Sequence, residues 1–303
     1  MDDNEKGSVS MTDFGIPYIK MKVSMVPVAP ASLPEWASST VRGAFGNRIL
    51  EAFCSDGQYD CPHCQKICSA GILYGNAQPD RSDEAINPYI IYCGKNSFNG
   101  EELNYDLTLF SEGVRTVDDV LAVLNAGLAL GSGRTLFKLT GITDAVSDKV
   151  IFDGTSFFRP DVYNMEFEEE KAAKICIEFV TPYKTKLNNA DFRFEQLVRA
   201  VLRRTSSVMR LSEIYPDFDY QGIIGRAARV NTKYRAFINE NMTRYSNRAG
   251  AKMNFAGFTG VMICEGDLTE FMPLLRAAEI LHAGKMCVMG LGNIRTYILE
   301  QGR

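Results

Sequence analysis

The same order of elements occurs twice in this chain of 303 residues, and it restricts the fold more than any other feature. Each half opens with a strand and a helix, and each later passes from an apolar helix through glycines into a strand. This order predicts an α+β protein with two βαββαβ units in tandem, the ferredoxin-like or RRM-like plan. The repeated helix–glycine–strand segments are Val120–Gly127, Gly131–Gly133 and Thr135–Thr140, then Leu274–Ala283, Gly284–Gly292 and Ile294–Leu299.

The spacing of apolar residues predicts where the main elements lie. Alternation of apolar and polar residues, or a short apolar run, predicts strands at Ile19–Val28, Pro88–Cys93, Leu103–Phe110, Ile175–Val180, Tyr220–Val230, Thr232–Asn239 and Phe255–Cys264. Helical spacing predicts helices at 38–53, Val117–Leu130, Phe192–Leu211 and Thr269–Leu281. We therefore expect a disordered leader at 1–14, a first domain at 15–160 with a cysteine-rich insertion at 54–75, and a second domain at 174–303.

The composition is that of a soluble globular protein, with 46% apolar and 23% charged residues. No apolar run approaches the ~20 residues of a membrane span. The acidic start, Met1 to Glu5, does not resemble a signal peptide. We therefore expect a cytoplasmic protein that does not associate with membranes.

Positive charge is concentrated in one part of a chain whose net charge is −4. Between Arg193 and Lys252 there are twelve Lys or Arg against five Asp or Glu. Such a basic stretch is compatible with RNA binding, although a solvated helix face has the same composition. Tyr220, Tyr234 and Tyr245 are interleaved with it and offer rings on which unpaired bases stack. The predicted RNA-binding side chains are Arg203, Arg204, Arg226, Arg229, Lys233 and Arg235.

The segment Leu281–Asn293 has the composition of a phosphate-contacting element. Gly284, Gly290 and Gly292 allow positive φ and a close backbone approach to an anion, and Lys285 adds a point charge beside them. His282 is one of two histidines in the chain, and an imidazole titrates near neutral pH. His282 is therefore the candidate general acid or base. The alternative is a histidine that binds the last carbonyls of the helix and orients the loop.

Four of the eight cysteines lie close together, as Cys54, Cys61, Cys64 and Cys68. A C-x2-C pair flanked by two further cysteines has the ligands that a tetrahedral structural zinc requires. Reduced thiols without a metal and an iron–sulfur cluster are the alternatives. The remaining cysteines stand in apolar surroundings typical of core thiols.

Three groups of residues resemble one branch of the RAMP superfamily. They are Arg42–Gly46 before the cysteine cluster, Phe179–Lys186 followed by Phe194–Arg204, and Leu281–Lys285 with Gly290–Gly292. Over roughly 17–303 the chain resembles the CRISPR-associated endoribonucleases that process precursor CRISPR RNA, the Cas6 family.

The resemblance implies two ferredoxin-like domains, a C-terminal glycine-rich loop and cleavage of CRISPR repeat RNA without a catalytic metal. Attack by the RNA 2′-OH would leave a 2′,3′-cyclic phosphate, and the protein could retain the product. Association with CRISPR effector subunits and homodimerisation are further expectations. The chain departs from the family in its first helix, where Asn47 stands in a segment from which many members draw a histidine. A non-catalytic RAMP subunit that binds CRISPR RNA is therefore the alternative function.

Overall fold

A computed structural model describes residues 11–54, 68–74, 86–185, 189–241, 243–246 and 251–302. It divides the chain into two compact units. Pro17–Tyr163 and Val288–Gly290 form the first unit. The described residues up to Ile16, Asn164–Cys287 and the described residues from Leu291 form the second.

In the first half of the chain, the strands of one sheet alternate with helices. Its elements are β1 (Asp13–Pro27), α1 (Ser38–Phe53), α2 (Ser69–Tyr74), β2 (Tyr89–Tyr92), β3 (Leu103–Phe110), α3 (Val117–Asn125), β4 (Leu128–Leu130), β5 (Thr135–Asp144), β6 (Val150–Phe152) and β7 (Tyr163–Glu166). The sheet order is β2-β3-β1-β5-β4, with β6 beside β5 and β7 beside β1. Strand β1 begins at Asp13, ahead of the predicted domain start at residue 15, and Phe14 is fully buried.

The second half repeats the plan. Its elements are β8 (Lys174–Tyr183), α4 (Phe194–Leu211), α5 (Tyr220–Ala227), β9 (Asn231–Glu240), β10 (Thr243–Ser246), β11 (Ala251–Asn254), β12 (Gly257–Glu265), α6 (Met272–Leu281) and β13 (Ile294–Glu300). The sheet order is β13-β8-β12-β9, and β10 and β11 form a separate pair. In the first half β1 lies between β3 and β5, and in the second half β8 lies between β12 and β13. The first strand of each βαββαβ unit thus lies between its third and its last strand. The tandem ferredoxin-like fold is thereby confirmed.

Two predicted elements were wrong. The segment 220–230, predicted as a strand, forms helix α5, because the Asp219 carboxylate accepts a hydrogen bond from the Gly222 amide at 2.9 Å and caps the helix. Ile223 and Ala227, four residues apart, form its buried side. The predicted helix 117–130 ends at Asn125, because Gly127 has a φ of +81° and Leu128–Leu130 then pairs with β5.

The second unit buries an aromatic cluster beneath its sheet. Phe179 of β8 has its ring centroid 5.1 Å from that of Phe258 on β12 and 6.0 Å from that of Phe192. Phe192 lies two residues before the start of α4 at Phe194, so the cluster anchors the chain where this helix begins. Alternate residues of β8, Ile175 and Ile177, are fully buried on the same face. The start of α4 is thus held firmly against the sheet.

Candidate nucleic-acid interface

His282 directly follows the last residue of α6 and has a strained backbone. Its φ of 59° and ψ of 170° lie in a region that is essentially restricted to glycine. The side chain is only 4% exposed, and Nδ1 lies 3.1 Å from the carbonyl oxygen of Leu291. Because a carbonyl only accepts, Nδ1 carries the proton, and in the neutral ring the lone pair is on Nε2. His282 therefore ties the two ends of the glycine loop together.

Arg204, predicted to bind RNA, is buried beside this histidine. Its guanidinium is on the inner side of α4, and Nε donates to the carbonyl of Leu281 at 2.6 Å. A cation at this position satisfies a carbonyl at the end of α6 and opposes the negative end of its dipole. The geometry gives Arg204 a supporting role for the loop.

The glycine-rich loop is bonded to the end of β8. The Gly292 amide donates to the carbonyl of Pro182 at 3.1 Å, and the Asn293 amide donates to Oγ1 of Thr181 at 2.8 Å. The Ala283 amide donates to the carbonyl of Gly292 at 2.8 Å. Gly292 has a φ of +70°, and a Cβ there would overlap the carbonyl oxygen of Ala283. Packing within the loop therefore requires glycine at position 292.

Two of the predicted RNA-binding cations are paired with carboxylates. Arg226 places Nε 2.8 and 2.9 Å from the two carboxylate oxygens of Glu270. Lys233 places Nζ 3.2 Å from Glu265. The hydrogen bond with Glu270 raises the pKa of Arg226. Hydrogen bonds from Lys174 and Lys233 lower the pKa of Glu265. Two of the six predicted RNA-binding cations are thus neutralised by carboxylates on the surface.

The remaining predicted arginines are exposed and lie on two surfaces. Arg229 and Arg235 line a polar cleft near the start of α4, which also contains Arg193, a residue that the sequence analysis did not select. Arg203 is on the outer side of α4.

Arg199 and Arg210 are exposed on the same helix as Arg203. At 100° per residue the three arginines fall within about 40° of one another around the helix axis. They define one arginine face of α4. The i, i+4 spacing of Arg199 and Arg203 was the sequence signal that could have identified it.

The predicted stacking tyrosines have different surroundings. Tyr234 is 53% exposed on the outer face of the sheet, where a base could stack on it. Tyr220 is partly buried, and its hydroxyl donates to Ser206 at 2.7 Å. The side chain of Tyr245 lies outside the described residues. Lys285 is partly buried within the loop, between Gly284 and Met286.

Both halves of the chain match known protein families. Residues 16–165 match the model of the AF_1859_N family, an N-terminal domain. Residues 177–294 match the model of the CRISPR-associated endoribonuclease Cas6, and this range runs from β8 to the start of β13 and includes the glycine loop. The C-terminal part of the chain, residues 177–294, belongs to the Cas6 family.

Several known proteins match this chain over most of its length. An uncharacterized protein from Archaeoglobus fulgidus is 24% identical over 87% of this chain and 92% of its own. A Cas6 product complex matches with a TM-score of 0.60 at 14% identity, over 93% of this chain and 100% of that one. Cas6 of Thermus thermophilus matches with a TM-score of 0.56 at 12% identity, over 93% and 99% of the two chains. At these identities the solved structures establish the fold.

Helix α1 contains no histidine, so the departure from the Cas6 pattern noted in the sequence lies on this helix. Asn47 is exposed on α1, and an amide does not exchange protons at neutral pH. Of the side chains on β1 that carry an exchangeable proton, Lys22 is paired with Asp148 at 2.9 Å, and burial raises the pKa of Tyr18. Arg42, also on α1, has its Cζ 5.8 Å from the ring centroid of Tyr74.

The zinc prediction stays open. Cys54 and Cys68 are partly buried, whereas Cys61 and Cys64 lie outside the described residues. Within the described ranges, no group of three or more His, Cys, Asp or Glu could hold a metal. The described helices also include none that is long and apolar enough to span a membrane.

Proposed function

We propose that this protein binds CRISPR repeat RNA and cleaves it without a catalytic metal. The observation that carries the proposal is the match of residues 177–294 to the CRISPR-associated endoribonuclease Cas6. The arginine face of α4 supports it, because Arg199, Arg203 and Arg210 place three exposed guanidinium groups along one side of the helix. Guanidinium groups pair with backbone phosphates in two-pronged hydrogen bonds.

In the proposed reaction the RNA supplies its own nucleophile. The 2′-oxygen bonds to the adjacent phosphorus, and the bond from phosphorus to the 5′-oxygen breaks. The 2′-hydroxyl proton passes to a base, and the departing 5′-oxygen takes a proton from an acid. The products are a 2′,3′-cyclic phosphate and a 5′-hydroxyl. The protein must align the 2′-oxygen in line, move two protons and stabilise the extra negative charge on phosphorus.

His282 is the proposed proton-transferring residue. Its Nδ1–H bond to Leu291 fixes the tautomer, so the lone pair of the neutral ring is on Nε2, as a general base requires. The strained backbone at φ 59° is of the kind that accumulates at active sites. Lys285, three residues further on, is proposed to offset charge on the phosphorane.

A non-catalytic RNA-binding subunit is the second candidate. Two observations favour it: His282 is 4% exposed, and α1 presents Asn47. In this case His282 would only close the loop, and the protein would hold CRISPR RNA for partner subunits. One solved structure that matches the fold, with a TM-score of 0.59, is part of a Cas6-RT-Cas1–Cas2 complex.

Incubation of purified protein with a repeat RNA in EDTA separates the candidates. We expect a 2′,3′-cyclic phosphate product, formed at least tenfold more slowly by His282→Gln, which keeps a polar side chain in the loop. The cleavage rate of the wild type should change with pH as one imidazole titrates. This change should be absent from the pH profile of His282→Gln. RNA binding without cleavage at any pH would favour the non-catalytic subunit, and no binding of repeat RNA would remove both candidates.

Retention of the product is part of the proposal. After single-turnover cleavage, the 5′ fragment that ends in the cyclic phosphate should remain bound on a nitrocellulose filter, while an excess of unlabelled repeat RNA is added. Release of this fragment as fast as a random RNA of equal length would show that the product is not retained.

A further inference from the structure

A cleft near the start of α4, on the second unit, is lined by several charged side chains. Its volume is about 470 Å³, and its lining residues include Arg193, Arg229, Arg235 and Glu195. Three arginines against one glutamate give the cleft a net charge of +2, in a protein whose net charge is −4. The lining is mainly polar, as is typical of a site for a charged group rather than an apolar ligand.

The fold brings these arginines together from three separate segments. Arg193 immediately precedes α4, Arg229 lies in the turn between α5 and β9, and Arg235 is on β9. Nη1 of Arg235 donates to the carbonyl of Phe192 at 2.9 Å, which holds this side chain against the start of α4. Because Phe192 is anchored in the aromatic cluster, the cleft has a rigid wall.

The arginines of the cleft differ electrostatically from their neighbours. Arg226 and Lys233 are paired with Glu270 and Glu265. Arg193 and Arg229 are exposed, and neither forms an ion pair with any residue that the structure describes. Exposed guanidinium groups that converge without carboxylate partners are well suited to a doubly hydrogen-bonded oxyanion.

The position of the cleft adds to its preference for anions. Arg193 is the residue from which α4 begins, and a helix N-terminus carries partial positive charge. The first amide of the helix is already used, since the Phe194 amide donates to Oγ1 of Thr232 at 3.2 Å. The N-terminus of the helix therefore makes the electrostatic potential in the cleft more positive, and the arginine side chains supply the hydrogen bonds to an anion.

We propose that this cleft binds a phosphate group of the RNA, through Arg193, Arg229 and Arg235. The proposal rests on the proposed RNA-binding function and adds to it a defined contact separate from the arginine face of α4. Glu195 is the one lining residue that opposes the ligand, because its carboxylate repels phosphate. Glu195 therefore serves as an internal control, because removal of its negative charge should strengthen binding.

The test measures the affinity for repeat RNA, and its salt dependence, by fluorescence anisotropy. Arg193→Gln and Arg229→Gln should each weaken binding about three- to tenfold and lower the slope of log Kd against log salt by about 1. Glu195→Gln should tighten binding about two- to fivefold, which a folding defect cannot mimic. Arg159→Gln, which removes an exposed arginine from a loop of the other unit, is the matched control. Circular dichroism melts confirm that the variants fold.

A second measurement identifies the phosphate. RNAs are prepared in which one linkage at a time is an uncharged methylphosphonate on a 2′-O-methyl nucleotide. One position should weaken wild-type binding but leave the Arg193→Gln/Arg229→Gln variant unaffected, which assigns an internal phosphate. If the defect of the variant appears only with 5′-phosphorylated RNA, the phosphate is terminal.

The outcomes separate this site from the general function. The proposed cleft is excluded if wild-type protein binds repeat RNA and the double variant binds it with the affinity and salt slope of the Arg159→Gln control. If the wild type does not bind repeat RNA, the proposed function and the cleft fail together.

Discussion

Nε of Arg204 donates to the carbonyl of Leu281 at 2.6 Å, so a buried guanidinium on α4 supports the residue immediately before His282. The adjacent Arg203 is on the outer surface of the same helix. Two consecutive arginines therefore have different surroundings: Arg204 is buried and supports the loop, and Arg203 is exposed on the surface.

Replacement of Arg204 should reduce stability. In Arg204→Ala the carbonyl of Leu281 loses its donor in a buried position, and we expect a loss of about 2–4 kcal/mol in the free energy of unfolding. Urea denaturation measures it. Arg199→Ala, on the exposed side of the same helix, should change stability by less than about 0.5 kcal/mol and weaken RNA binding instead. Equal stability losses in both variants would contradict this division.

Gly292 should not tolerate a side chain. Its φ is +70°, and a Cβ would collide with the backbone of Ala283, so Gly292→Ala should lose at least about 2 kcal/mol. Gly225 is the contrasting control, because it lies within α5 and a Cβ there meets nothing within 4 Å. Gly225→Ala should gain about 0.5–1 kcal/mol from helix propensity. Thermal and urea unfolding of both variants test the pair.

Glu170 should contribute pH-dependent stability through Arg276. Nε and Nη2 of Arg276 lie 2.7 and 2.8 Å from the two carboxylate oxygens, and this hydrogen bonding lowers the pKa of Glu170. A lowered folded-state pKa stabilises the protein above the unfolded value near 4.5, and this contribution is lost as pH falls through the folded pKa.

The measurement is the difference in unfolding free energy between wild type and Glu170→Gln across pH. Because the Glu170 side chain is 32% exposed, we expect a difference of about 1 kcal/mol at pH 7 that shrinks below pH ~4.5. A difference that is constant from pH 3 to pH 7 would assign the effect of the substitution to packing.

The buried thiols of Cys93 and Cys264 should be unreactive in the native protein. Burial raises the pKa of each to about 12, so almost no thiolate exists at pH 8. Mass spectrometry after iodoacetamide treatment should show both residues unmodified in the native protein and modified in urea. Modification of either residue at the rate of a free thiol in the native state would contradict their burial.

The cysteine cluster is predicted to hold one structural zinc. Protein purified without chelator should contain about one zinc per chain by elemental analysis, and Cys68→Ser should reduce the zinc content sharply. Cys176→Ser, a partly buried thiol on β8, is the matched control and should retain the metal. Less than about 0.2 zinc or iron per chain in the wild type would leave reduced thiols as the correct alternative.

Local patterns were sufficient for most of the elements. Alternation located β3 at Leu103–Phe110, and helical spacing located α4 to within two residues at its start. These patterns depend on neighbours a few residues apart, which the sequence displays directly. The segment 220–230 was misassigned because its apolar residues suit either element, and the cap from Asp219 decides for the helix.

The sequence by itself determined the tandem βαββαβ order, the glycine loop and the excess of positive charge in the second half, since each follows from residue type and local spacing. Only the tertiary structure decided which of these cations are buried or paired with carboxylates and which are exposed. Arg226 is neutralised by Glu270, 44 residues away, and Arg204 is buried against Leu281, 77 residues away. Arg193, Arg229 and Arg235 meet in one cleft because the sheet and the aromatic cluster bring distant segments together. Pairing and burial are properties of chain contacts, and composition does not contain them.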